Sequence, residues 1–201
     1  MMLVRAALAL CCLAGVSNDT VVQRWEASPP LNAGCGEINT LPPGTTLRGS
    51  LVYIYSFLDI SDNKVVNRLA DEMHRQLGAN FAAAGIASKL LPSRQNPAMT
   101  FDDRPDGSRS VAVATVIAAN AGDEAATGAR FRLIAFPTEI VRDYHEREFD
   151  VCWTLADVRT GRQIWWTRTI DTKGLFAKGL PSRAQSAIGD LTAALRKSGL
   201  L

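Results

Sequence analysis

Histidine is almost missing from this chain of 201 residues: only His74 and His145 are present. Metal centres and general-base chemistry lean on imidazole, and neither histidine has a second one at helical ligand spacing. His145 precedes a Glu-Arg-Glu run, so His145 with Glu146 or Glu148 is the one pattern an enzyme can use. It reads more simply as a solvated start to a strand. There is no nucleophile elbow, no phosphate-cradling glycine loop and no paired Cys-x-x-Cys, and nothing that calls for a cofactor. Asp102, Asp103 and Asp106 lack the alternating acidic spacing and closing glutamate of a calcium loop, and read as a polar loop.

Charge of one sign is also scarce. The formal net charge is +2, and no run of like charges exceeds two or three residues, so neither a nucleic-acid stripe nor a polybasic membrane patch is implied. Long apolar runs are missing, since the opening apolar segment is too short to cross a bilayer as a helix.

What that opening segment does resemble in layout is an export leader over residues 1–17. Arg5 gives a positive start, residues 6–13 an apolar stretch, and Ala14, Gly15 and Ser17 small residues near a cut site. Three readings of it stay open. Cleavage after Ser17 releases a soluble periplasmic protein; Cys11 or Cys12 is lipidated; or a parental chain carried cysteine at position 16, where Val16 cannot take a thioether. Leu13-Ala14-Gly15 is the run that precedes the acylated cysteine of bacterial lipoproteins.

About 185 residues then remain, enough for one domain burying roughly 70% of its unfolded surface without staples. Residues 18–49 carry Pro29-Pro30, Gly34-Cys35-Gly36 and Pro42-Pro43-Gly44, and predict an extended tether over a domain spanning 50–201. Of the four cysteines, Cys35 and Cys152 lie beyond the leader. In an oxidising compartment they either form one disulfide or stay unpaired, with Cys152 half-buried on a strand.

Residues 50–58 alternate and hold β-formers, predicting a strand. Val65, Leu69, Met73, Leu77, Phe81 and Ala84 recur at helical spacing and Gly85 stops them. Residues 86–91 form a short strand and 92–107 a long exposed loop. Residues 110–126 favour a helix, and 131–141 a strand interrupted by Pro137 near a bend or edge. Residues 146–158 and 162–172 make a hairpin, and 182–198 a closing helix before Gly199. The fold class is α+β, an antiparallel or mixed sheet with two to three helices packed on one face.

A two-residue turn at Thr160-Gly161 would set Leu155 opposite Trp166 and Ala156 opposite Trp165. Phe149, Val151, Trp153 and Leu155 then share the core face with Ile164, Trp166 and Ile170. The second face holds Cys152 and Trp165. Trp25 and Trp165 are accordingly either buried under the tether or exposed as anchors for a lipid or partner.

The strand Glu148-Phe149-Asp150-Val151-Cys152-Trp153-Thr154-Leu155, the turn Asp157-Val158-Arg159-Thr160-Gly161-Arg162, the return Ile164-Trp165-Trp166 and the Leu-Ala-Gly leader together resemble small proteobacterial envelope lipoproteins. In outline the chain is similar to lipopolysaccharide-assembly lipoproteins, auxiliary lipoproteins of envelope lipid transporters and penicillin-binding-protein activators. Val16 departs from that pattern. The resemblance implies a non-enzymatic accessory protein in the periplasm, peripherally associated with the outer membrane, whose partner is an envelope protein complex or lipid. Two alternatives belong to other classes: a structural subunit of an envelope-spanning secretion or motility assembly, and a periplasmic hydrolase or metal-dependent enzyme using His145 and nearby carboxylates.

Overall fold

The computed structural model describes residues 21–27, 35, 41–60, 64–96, 98, 101–103, 109–111, 113–142, 147–173 and 179–201. The predicted leader, 1–17, lies outside them.

Among the described residues eight strands and three helices follow in order: β1 (Val21–Ala27), β2 (Leu51–Ser56), α1 (Lys64–Ala83), β3 (Ala87–Pro92), β4 (Phe101–Asp103), β5 (Arg109–Val111), α2 (Val113–Thr127), β6 (Phe131–Arg142), β7 (Arg147–Asp157), β8 (Gln163–Lys173) and α3 (Leu180–Lys197). The fold is α+β, built on an open mixed sheet. Its main span runs β3-β2-β6-β7-β8, with β2 parallel to β3 and β6, and β6, β7 and β8 antiparallel.

Long β6 organises the rest. One edge pairs β2 only as far as Ala135. From Glu139 onward the same edge is taken by β1, which runs antiparallel to it. Pro137 falls in the gap between these partners, where the β6–β7 register also shifts. A residue with no N–H to give is tolerated at that point, so proline sits inside a central strand.

The tether predicted over 18–49 is therefore corrected at its start, because Val21–Ala27 is part of the sheet. The run Val21-Val22-Gln23-Arg24-Trp25 suits a strand, and β6 offers it an edge that β2 has vacated. The loop predicted over 92–107 is corrected too. Ser93–Gln95 is a 3-10 turn with Ser93 and Asn96 buried, and Phe101–Asp103 pairs with β5.

The helices follow the apolar spacing. α1 buries Val66, Leu69, Met73, Leu77 and Phe81, the first of these replacing the expected Val65, which is exposed. α3 buries Ala184, Ile188, Leu191 and Leu195. Each such leucine or isoleucine contributes roughly 1.5–3 kcal/mol by leaving water. Both helices end alike. Gly85 and Gly199 take positive φ, and the N–H groups of Ile86 and Leu200 reach back to the carbonyls of Phe81 and Leu195 at 2.9 and 3.0 Å.

Side-chain alternation sorts the layers. Ser56 meets His74 of α1 and Trp165 meets Ser198 just past α3, so α1 and α3 share the face carrying Val52, Ile54, Leu133, Trp153 and Leu155. Tyr53 and Arg132 meet Asp123 and Glu124, which puts α2 on the opposite face. Two helices thus pack on one side as expected, while the third crosses to the other.

Candidate functional site

The hairpin register differs from expectation and decides where the tryptophans go. Asp157 N donates to Arg162 O and Gly161 N to Asp157 O, at 3.1 and 2.9 Å, so residues 158–161 form a longer turn. A bulge follows, in which Ala156 faces Gln163 and Leu155 faces Trp165. β7 divides its faces as predicted, but β8 is inverted. Trp165 is 2% exposed in the core, with Nε1 donating to Ser198 Oγ at 2.8 Å, so it is not a surface anchor. Trp166 shares a face with Thr154 and is half-buried, and Ile170 is 51% exposed. Trp153 is core, its Nε1 donating to Thr169 Oγ1. Trp25 stands beside Arg109 in the β1–β5 register, and its side chain lies outside the described residues.

On the sheet face carrying α2, Cys35 and Cys152 are joined in a disulfide, with Cα atoms 5.7 Å apart and a sequence separation of 117. Cys152 is fully buried beside Phe136 in the β6–β7 register. Two residues before it on the same face, the buried Asp150 carboxylate pairs with Arg168 of β8. The other oxygen, Oδ1, has no hydrogen-bond partner among the described residues. Cys35 is thereby latched onto the centre of the sheet.

A second polar cluster closes the carboxyl ends of parallel β2 and β3. Asp59, with no exposed side-chain surface, accepts from Ser93 N at 3.1 Å, Arg94 N at 3.2 Å, Arg94 Nε at 2.9 Å and the Ser93 hydroxyl. Arg94 Nη2 also donates to Asp71 of α1 at 2.6 Å. Beside them Ser56 Oγ and His74 Nε2 are 2.6 Å apart. Burial holds the His74 pKa below its ordinary value, against the opposing pull of Asp59 and Asp71. This pair has the atoms of a base and a nucleophile, and Ser56 is 2% exposed, so its hydroxyl is closed to solvent. The cluster ties β2, β3 and α1 together.

Sequence reasoning missed Asp59, Ser93 and Arg94. A signal was available in Phe57-Leu58-Asp59-Ile60, since a lone acid inside an apolar run must find partners when the run is buried. The expected pairing of His145 with Glu146 or Glu148 falls on residues or side chains outside the described ones. Asp102 and Asp103 lie on β4, and Asp106 is outside the described residues. Among the described residues no cluster of three or more His, Cys, Asp or Glu is placed to hold a metal. Among them, too, no helix is long and apolar enough to cross a membrane.

Neither a protein-family model nor a curated protein matches the chain. Solved structures do resemble it in outline. A PelC variant dodecamer from Paraburkholderia phytofirmans is 18% identical with a TM-score of 0.47, covering 75% of this chain and 92% of the other. The lipoprotein GNA1162 from Neisseria meningitidis is 13% identical with a TM-score of 0.42, covering 74% and 96%. Protein XCC0632 from Xanthomonas campestris, of the DUF330 family, is 7% identical with a TM-score of 0.37, covering 89% and 94%. The structures similar in outline thus include a lipoprotein and other proteins of Gram-negative bacteria.

Proposed function

We propose that this chain is an exported, non-enzymatic accessory protein of the bacterial envelope, held in the periplasm beside the outer membrane, which works by binding an envelope complex or lipid. The disulfide carries the reading. A bond between Cys35 and Cys152, buried on the sheet at its Cys152 end, belongs to an oxidising compartment rather than to a reducing cytosol. The leader-like residues 1–17 agree with that address.

The polar clusters support binding over catalysis in the same way. Ser56 and Asp59 are spent on internal hydrogen bonds and closed to solvent. The test is fractionation of the native host, followed by intact mass with and without reduction. An envelope-associated protein that gains two hydrogens on reduction supports the reading. A cytosolic protein with two free thiols would overturn it.

A further inference from the structure

At the end of the sheet away from Asp59, a cleft of about 240 Å³ opens between the turn at residues 42–45 and the start of β6. A second of about 220 Å³ adjoins it and shares Pro42, Asp157, Arg159 and Ile164. Carbon lines the floor, from Pro42, Phe131 and Ile164. Three arginines line the rim: Arg130 and Arg159 in the first cleft, Arg159 and Arg162 in the second.

All three arginines are exposed, and none has an ion-pair partner among the described residues. Elsewhere in the chain the guanidinium groups of Arg75, Arg94, Arg132 and Arg168 are all paired with carboxylates. Among the described residues the only carboxylate lining this cleft is Asp157, and it is already engaged. Its Oδ1 accepts from Thr160 N at 2.9 Å and from Thr160 Oγ1 at 3.1 Å, bonds that hold the tip of the turn.

The positions are also set in advance. Arg130 holds its guanidinium 4.9 Å from the Phe131 ring centroid, and its backbone is fixed by bonds to Leu51 O and Val158 N. Arg159 and Arg162 flank Gly161, whose φ of 66° shapes the turn between them. Opposite, the 42–45 turn is tied by Thr45 N and Oγ1 donating to Pro42 O at 3.2 and 2.7 Å.

We propose that this cleft binds a phosphate monoester, its oxygens taken by Arg130, Arg159 and Arg162 and its carbon portion lying against the exposed Pro42, with Phe131 and Ile164 buried beneath. Three guanidinium forks facing one engaged carboxylate leave an excess of positive charge. A phosphoryl group offers three acceptor oxygens and up to two negative charges, which a single carboxylate ligand does not. The inference narrows the binding reading above to a ligand chemistry, and its test needs only purified protein, so it fails or stands separately from the fractionation result.

The full chain, expressed with its own leader and purified with the disulfide formed, is titrated calorimetrically with glycerol 3-phosphate. In parallel it is sedimented with phosphatidylcholine vesicles, with and without phosphatidic acid, whose headgroup is likewise a phosphate monoester. Binding in the first arm identifies a free phosphate ester; binding only to phosphatidic acid vesicles identifies a lipid headgroup. In either arm Arg159→Ala/Arg162→Ala should weaken binding at least about tenfold, the scale of one charge-assisted hydrogen bond. Arg130→Lys should weaken it less than Arg130→Ala, and Arg68→Ala, an equal loss of charge on α1, should leave it unchanged. No binding in either arm overturns the proposal. So does binding that Arg68→Ala reduces as much as the cleft variants do. The substituted side chains are exposed, and an unchanged melting curve confirms that each variant folds.

Discussion

The Asp59 carboxylate accepts the backbone N–H of Ser93 at 3.1 Å, joining the turn after β2 to the turn after β3 across 34 residues of sequence. Arg94 adds its Nε at 2.9 Å on the other oxygen. Asp59→Asn keeps the shape but turns an amide donor toward one of these donors. Loss of about 2–4 kcal/mol is expected, because a buried acceptor bonded to four donors is replaced by a mismatched group. Urea denaturation measures it, and a midpoint within experimental error of wild type would show that the cluster does not join the strands.

His74 gives the fold a pH dependence whose sign is fixed by burial. Its folded-state pKa lies below the ordinary 6.5, so beneath that pH the unfolded chain binds more protons than the folded one. The contribution is full above about pH 6.5 and drains away on acidification until the folded-state value is reached, at up to about 1.4 kcal/mol per pH unit. His74→Gln should flatten that part of the stability curve relative to wild type. Parallel curves for the two proteins between pH 7 and 5.5 would refute the assignment.

Tyr53 and Tyr55 stand two residues apart on the α2 face of β2 and should respond oppositely. The Tyr53 hydroxyl donates to Asp123 Oδ2 at 2.6 Å, and Asp123 also holds Lys89 Nζ at 2.7 Å. Burial, then the bond to Asp123, pushes the Tyr53 pKa well above its ordinary value. The buried Tyr55 hydroxyl has no hydrogen-bond partner among the described residues. Tyr53→Phe is expected to cost about 1 kcal/mol, whereas Tyr55→Phe should be neutral or slightly stabilising, since it removes an orphaned polar atom. Thermal melts of the two variants decide it.

The Cys35–Cys152 bond spans 117 residues of sequence. In the loop-entropy account a closure of that length stabilises by about 4–5 kcal/mol, by restricting the unfolded chain. Cys35→Ser should therefore approach that loss in denaturant unfolding, and reducing agent should destabilise wild type while leaving the variant unmoved. If reduction changes nothing, the bond does not form in solution.

Local signals made α1 and α3 legible, since apolar spacing and a following glycine act within one turn of chain. Val65 marks the limit: periodicity finds the stripe, yet packing against the sheet chooses Val66 as its first member. The acid of the Asp59 cluster had a local signal, but its partners Ser93 and Arg94 were not legible, because they meet it only where the ends of β2 and β3, separated by all of α1, are brought side by side. The arginine cleft is similar: Arg130, Arg159 and Arg162 are scattered in sequence and share a rim only once β6 and the β7–β8 turn lie together. Val21–Ala27 was hidden by its proline-rich surroundings, and by a partner edge that exists only because β2 ends early.

The β8 register rests on counting residues in a turn, and two tryptophans test it. Two more residues in the turn than expected, with one bulge, exchange the faces of Trp165 and Trp166. Trp165→Ala should leave a cavity under α3 and free the Ser198 hydroxyl, costing about 3–5 kcal/mol. Trp166→Ala removes a half-buried ring and should cost about 1–2 kcal/mol. The two-residue turn inverts that order, since it buries Trp166 and turns Trp165 outward. Denaturant midpoints of the two variants, compared with each other, distinguish the registers even if both magnitudes are off by a common factor.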